Sequence, residues 1–134
     1  RRIYRTKPNE QLKLFGLVLA RLESSADGRL TWSVVSEADY QAAGASPEMT
    51  EGLIDLLAQS AGSEVVILFK DMGDGVRLSL RTRDEGVDAT RLAGAFGGGG
   101  HARAAGASHP GPMAEARPAV LTAAQRLLDQ LPPR

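Results

Sequence analysis

Glu64-Val65-Val66-Ile67-Leu68-Phe69-Lys70 leads through Gly73-Asp74-Gly75 into Val76-Arg77-Leu78-Ser79-Leu80-Arg81-Thr82-Arg83. The first segment is apolar almost throughout, as expected of a central strand buried on both faces. The glycine-flanked aspartate marks a tight turn. The second segment alternates strictly and is the returning strand of a hairpin. Side chains alternate faces along a strand, so Arg77, Arg81 and Arg83 share one side, while Val76, Leu78, Leu80 and Thr82 point toward a core. Three guanidiniums in line form a cradle for a phosphodiester backbone, since each grips two oxygens. The competing reading is an ordinary solvated sheet face, paired with Asp74, Asp84 or Glu85.

Upstream, Leu12, Phe15, Leu19 and Leu22 recur at helical spacing from Asn9 onward, and Ser24 to Gly28 ends that helix. Leu30 to Val35 reads as a strand, and Glu37 to Ala43 as a short helix. Ser46-Pro47 has the form of a helix start, with Ser46 as cap. Leu53, Ile54, Leu56, Leu57 and Ala61 form an apolar stripe stopped by Gly62. Downstream, Asp88 caps a short helix through Arg91, Leu92, Ala93 and Phe96. Ala102 to Ala107 fits either a short helix or a closely packed strand, and Pro110 to Pro112 a turn. Ala114 to Leu131 closes the chain as a helix, which Pro118 either kinks or starts. The fold class that follows is α/β: a single domain with a mixed β-sheet flanked by helices. Residues 1–8 read as a linker and residues 9–134 as the domain. The lack of an initial Met suggests a fragment of a longer protein.

The bulk numbers narrow the function. The 134 residues fit one domain, and 43% hydrophobic content supports a real core. Sixteen basic residues balance sixteen acidic ones, which argues against a general nucleic-acid coat or membrane-surface binder but not against a local basic patch. Lys7, Lys13 and Lys70 are the three lysines, and the other basic residues are arginine. That bias favours anion recognition, or equally a GC-rich genome. The absence of cysteine excludes disulfides, thiolate catalysis and Cys-ligated zinc. No apolar run is long enough to span a bilayer and no signal peptide is visible, so a cytoplasmic location is expected.

Gly97-Gly98-Gly99-Gly100-His101 is the second constellation. Four glycines remove every Cβ, so backbone N–H groups approach a ligand oxygen closely. His101 donates a hydrogen bond to phosphate or moves a proton near neutral pH. A helix starting near His101 would add its N-terminal dipole. A flexible connector with a chance histidine is the bland alternative. The apolar helix before the run and the small residues Ala102, Ala104, Ala105, Gly106 and Ala107 after it weigh against that. No Gly-Lys-Ser/Thr follows and a helix precedes, so the run is neither a Walker loop nor a dinucleotide fingerprint. Neither His101 nor His109 has a carboxylate at metal-ligand spacing, and no catalytic pair is visible. His109 beside Pro110 reads as a surface loop residue.

Gly97 to Gly100, His101, Ala104-Ala105-Gly106 and the flanking Arg103 together resemble the signature of the DHH-associated C-terminal domain of DHH-family phosphoesterases. Val76 to Arg83 is similar to the strand before that motif, Val87-Asp88-Ala89 to the start of the intervening helix, and Thr50-Glu51-Gly52-Leu53-Ile54 to a segment of the NrnA-like branch. The resemblance implies the substrate-binding domain of a hydrolase acting on short RNA and on phosphoadenosine phosphate, a 3′–5′ exoribonuclease and phosphatase. It implies a covalently linked DHH domain, absent from this chain, that holds manganese, and a fragment that is inactive alone. It places substrate contacts at Arg81, Gly98, Gly99, Gly100 and His101, more weakly at Arg83 and Arg103. His101 is expected at the transition state, with no metal ligand and no other catalytic group here. A homodimeric parent is also expected. Two further readings stay open: a tRNA-binding appendage of an alanyl-tRNA synthetase-like protein, and a phosphodiesterase for cyclic dinucleotides or single-stranded DNA.

Overall fold

A computed structural model describes residues 6–60, 62–83 and 86–132. At its centre β3 (Val65–Asp71) and β4 (Val76–Thr82) pair antiparallel, with Ile67 opposite Leu80 and Phe69 opposite Leu78. The turn between them closes with Met72 N–H on the Gly75 carbonyl (2.8 Å) and Gly73 N–H on the Asp71 carboxylate (3.0 Å). Gly73 takes a φ of +88°, which a side chain disfavours. β2 (Leu30–Val35) lies parallel to β3 on its other side, and a parallel neighbour requires a crossover. That crossover is α2 (Glu37–Ala43), a 3₁₀ turn (Pro47–Thr50) and α3 (Leu53–Leu57). The remaining strands are β1 (Glu23–Ser24), β5 (Gly99–His101) and β6 (Ala104–His109), all antiparallel to their neighbours. The six strands found among the described residues form one mixed sheet in the order β1-β2-β3-β4-β6-β5.

The continuous apolar run of β3 has its reason in this placement: Val65 to Phe69 are all buried, alternately on the two faces. On one face Leu30, Val65, Ile67, Phe69, Leu78, Leu80 and Ala105 pack with residues of α4 (Ala89–Gly94) and α5 (Met113–Asp129). Fully burying Phe69 there contributes about 2–3 kcal/mol. On the other face Val35, Val66 and Leu68 are covered by Leu14, Phe15 and Val18 of α1 (Asn9–Ala20), Tyr40 of α2, and Leu53 and Leu57 of α3. That second layer stops short. None of Arg77, Ser79, Arg81, Ala104, Gly106 and Ser108 on β4 and β6 is buried. The result is a single α/β domain with one half-face of its sheet left open.

Several expectations change locally. Ser46 makes no side-chain cap; the chain turns once as a 3₁₀ helix, and α3 starts only after Gly52 at φ +87°. Ala61 and the linker residues 1–5 lie outside the described residues. Ala104 onward is a strand, not a helix. The last helix begins at Met113, ahead of Pro118, and runs through it. No helix among the described residues is long and apolar enough to cross a membrane.

The start of α2 carries a pH-dependent contact. Ser36 Oγ accepts the Asp39 N–H (3.3 Å), and the Asp39 carboxylate accepts the Ser36 N–H (2.7 Å). Both terminal nitrogens of Arg21 donate to the same buried carboxylate, one at 2.7 Å. Burial alone would raise the Asp39 pKa, but the bonds from Arg21 and Ser36 outweigh it and hold the carboxyl below its ordinary value. A depressed folded-state pKa contributes stability above the unfolded value near ~3.9 and loses it as pH falls through the folded value. Asp39→Asn should cost about 1–2 kcal/mol at neutral pH and flatten the acid limb between about pH 5 and 2. Urea unfolding across that range checks it; parallel pH profiles for variant and wild type would contradict it.

Candidate nucleotide-binding face

The sheet register decides what the open half-face presents. Arg81 on β4 lies opposite Ala104 on β6, and Ala104 lies opposite His101 on β5. Directly opposed residues point to the same side, so Arg81 and His101 flank one row. Two residues along β4, Ser79 faces Gly106, and Gly106 faces Gly99. Two more along, Arg77 lies between Lys70 on β3 and Ser108 on β6. The face therefore carries cations at both ends and a floor of small residues between.

The glycine run is not the open loop expected from the sequence. It becomes the edge strand β5, entered through Gly97 at φ +76°. A Cβ on Gly98 would overlap the Gly106 carbonyl oxygen and sit 2.6 Å from the Ala107 Cβ. A Cβ on Gly100, at φ +144°, would lie 2.7 Å from the Ala104 carbonyl oxygen. These two glycines let β5 press against β6. The Gly98 N–H is already given to the Ala93 carbonyl (2.8 Å). Gly99 differs: its φ is not positive, and a Cβ there would meet nothing within 4 Å. No helix begins at His101, so no helix dipole acts there; a turn at Ala102-Arg103 returns the chain into β6. The His101 ring is exposed and makes no hydrogen bond among the described residues.

The arginines differ in how far they are engaged. Arg81 donates through Nε to Asp55 Oδ1 (3.1 Å) and through Nη1 to the Leu80 carbonyl (3.1 Å). The Asp55 side chain is 67% exposed, so this pair is a weak, screened one that holds the guanidinium in place without consuming it. Arg83 follows the end of β4 and donates to the Ser60 carbonyl (3.0 Å); Asp84 and Glu85, named with Asp74 as partners of the arginine face in the competing reading, lie outside the described residues. Asp74 makes no ion pair among the described residues. Arg103 turns into the fold, where Nη2 donates to the Val87 carbonyl (2.7 Å) and Nη1 is buried without a partner among the described residues.

Sequence reasoning passed over Lys70 and Asp55. Lys70 shares the parity of Val66 and Leu68 and ends the apolar strand, a signal that was available. Burial, then the like charges of Arg77 and Arg81, hold its ammonium pKa below the ordinary value. His109 is corrected outright: it is the last residue of β6, half-buried, with its ring 6.1 Å from that of Phe96 and Nδ1 accepting the Gly111 N–H (3.2 Å). Among the described residues no group of three or more His, Asp or Glu side chains is placed to hold a metal ion. A groove of about 530 Å³ lies at the hairpin end, where Arg77 and Ser108 meet Met72, Asp74 and His109. A recess of about 40 Å³ beside Arg81 is lined by Ala58, Ser63 and Val66.

The bifunctional oligoribonuclease and PAP phosphatase NrnA of Thermus thermophilus is 33% identical over 105 residues, which are 78% of this chain and 31% of that protein. An exopolyphosphatase-related protein from Bacteroides fragilis superposes with a TM-score of 0.80 at 21% identity, over 95% of this chain and 36% of its own. The C-Ala domain of Aquifex aeolicus alanyl-tRNA synthetase gives a TM-score of 0.52 at 25% identity, over 77% of this chain and 96% of its own. This chain thus spans about a third of the length of the first two. The family model of the DHHA1 domain matches residues 29–130, and the chain belongs to that family, the domain found in DHH-family phosphoesterases.

Proposed function

We propose that this domain is the substrate-gripping wall of a phosphoesterase acting on short oligoribonucleotides and on phosphoadenosine phosphate. The observation that carries it is the cross-strand row of Arg81, Ala104 and His101 on an uncovered sheet face. Arg81, held by Asp55, presents a fork to phosphate oxygens, and His101 donates from the opposite end of the row. Ala104 between them leaves room for the phosphate itself. Gly99 adds an unobstructed stretch of edge strand beside it. The hydrolytic chemistry, with its manganese, is assigned to a linked DHH domain. His101 then contacts phosphate in the ground and transition states and ligates nothing.

Titrating this chain with a diribonucleotide and with phosphoadenosine phosphate tests the reading. Binding should be weak and salt-sensitive, and Arg81→Gln or His101→Ala should each weaken it about tenfold, the loss of one charge-assisted hydrogen bond. In the full-length protein with manganese, His101→Ala should lower turnover on a diribonucleotide by at least as much. Unchanged affinity and turnover would mean that the row is an ordinary surface. The likeness to the C-Ala domain favours a second reading, a tRNA-binding appendage. Failure of the full-length protein to hydrolyse a diribonucleotide, with retained binding of tRNA to this chain, would select it.

A further inference from the structure

We infer that Lys70, Arg77 and Ser108 form a second phosphate subsite, which extends the bound ligand to an oligonucleotide of three or more residues. This rests on the reading of the Arg81–His101 row given above. Arg77 stands directly between Lys70 and Ser108 in the register, on the same face as that row. Two like charges directly opposed across a β-ladder repel, and neither forms an ion pair among the described residues. Lys70 is also half-buried, which disfavours its charge further. An anion seated between Lys70 and Arg77 relieves both penalties. A groove of about 530 Å³, lined by Arg77, Ser108 and Asp74 but not by Lys70, opens beside Arg77.

The spacing identifies the ligand. Arg77 and Arg81 are four strand positions apart, roughly 13 Å at about 3.3 Å per residue. One nucleic-acid strand rises about 3.4 Å per nucleotide when stacked and more when extended, so roughly 13 Å spans up to about four nucleotides. Between the two cationic rows, β4, β6 and β5 present Ser79, Gly106 and Gly99, small and uncharged. A continuous polyphosphate would leave its central charges over that neutral floor. A nucleotide strand places sugars and bases there and sets phosphates at both ends.

The test compares diadenylate with pentaadenylate on this chain, by equilibrium titration, for wild type, Arg77→Gln, Lys70→Gln and Arg81→Gln, with thermal melts confirming that each variant folds. Arg77→Gln and Lys70→Gln should weaken pentaadenylate about tenfold and leave diadenylate within about twofold, since one charge-assisted contact is worth a factor of about ten. Arg81→Gln should weaken both ligands. Equal loss on both ligands, or no loss on either, from the Arg77 and Lys70 variants overturns the second subsite while leaving the first row intact. Normal binding of both ligands by Arg81→Gln overturns the first row and this inference with it. Displacement of pentaadenylate by a five-unit inorganic polyphosphate at equal concentration overturns the assignment of the floor to nucleosides.

Discussion

Arg29→Ala should destabilise the domain by about 3–5 kcal/mol, the usual cost of stranding one member of a buried ion pair. Arg29 and Glu64 are 8% and 7% exposed. The guanidinium donates from Nε to Glu64 Oε2 (2.5 Å) and from Nη2 to Oε1 (3.2 Å). It also donates to the carbonyls of Leu128 (2.8 Å), Pro132 (3.2 Å) and Leu131 (3.3 Å) at the end of α5. Alanine therefore strands a buried carboxylate and removes a donor shared by carbonyls that the end of a helix leaves unpaired. The effect should reach the sheet, because the Arg29 carbonyl accepts the N–H groups of Glu64 (2.7 Å) and Val65 (3.0 Å) where β2 meets β3. Glu64→Gln should cost less, since a neutral amide still accepts from the guanidinium. The double variant Arg29→Met/Glu64→Leu should recover much of the loss, because the penalty is an unpaired charge rather than a missing attraction. Guanidinium unfolding of the four proteins checks this; a double variant as unstable as Arg29→Ala would show that the helix-end carbonyls dominate.

The parts of this fold legible in the sequence are those governed by neighbours in the chain. The hairpin Val65–Thr82 showed itself because an apolar run, a glycine-flanked aspartate and strict alternation each act over a few residues. The Asp88 cap, accepting the Thr90 N–H at 2.9 Å, is equally local. Pairing between distant strands is not. The placing of β6 between β4 and β5 depends on contacts that no window of sequence contains, and that placing puts His101 on the face of Arg81. For the same reason Ala102 to Ala107 fitted two readings: small residues satisfy a tight helix and a tight strand alike. Asp55 lay among leucines of a helical stripe, and only the packing of α3 against β4 makes it the partner of Arg81. Arg83 and Arg103 share the residue type of Arg81 but lie beyond the regular strand, where their direction is set by nearby carbonyls.

The glycine run divides into positions that the fold requires and one that it does not, and paired substitutions separate them. Gly98→Ala should lower the melting temperature by roughly 10 °C or more, corresponding to about 3 kcal/mol in a domain of this size. Its Cβ would overlap the backbone of β6 at Gly106 and Ala107, and a backbone neighbour cannot rotate aside. Relief comes only by lifting β5 off the sheet, which breaks the register that pairs Gly99 with Gly106 and His101 with Ala104. Amide exchange in β6 should therefore accelerate, and binding of a diribonucleotide should fall with it. Gly99→Ala should do the reverse. Its Cβ meets nothing within 4 Å and its backbone is already extended, so stability should stay within about 1 kcal/mol of wild type and can rise through lower unfolded-state entropy. That methyl group nevertheless stands on the neutral floor between the two cationic rows, so nucleotide affinity should drop several-fold in a protein as stable as the original. Melting curves and titrations on both variants are the measurement. If Gly99→Ala binds as well as wild type, the ligand does not cross that floor; if Gly98→Ala melts with wild type, β5 is not fixed to β6 as the register describes.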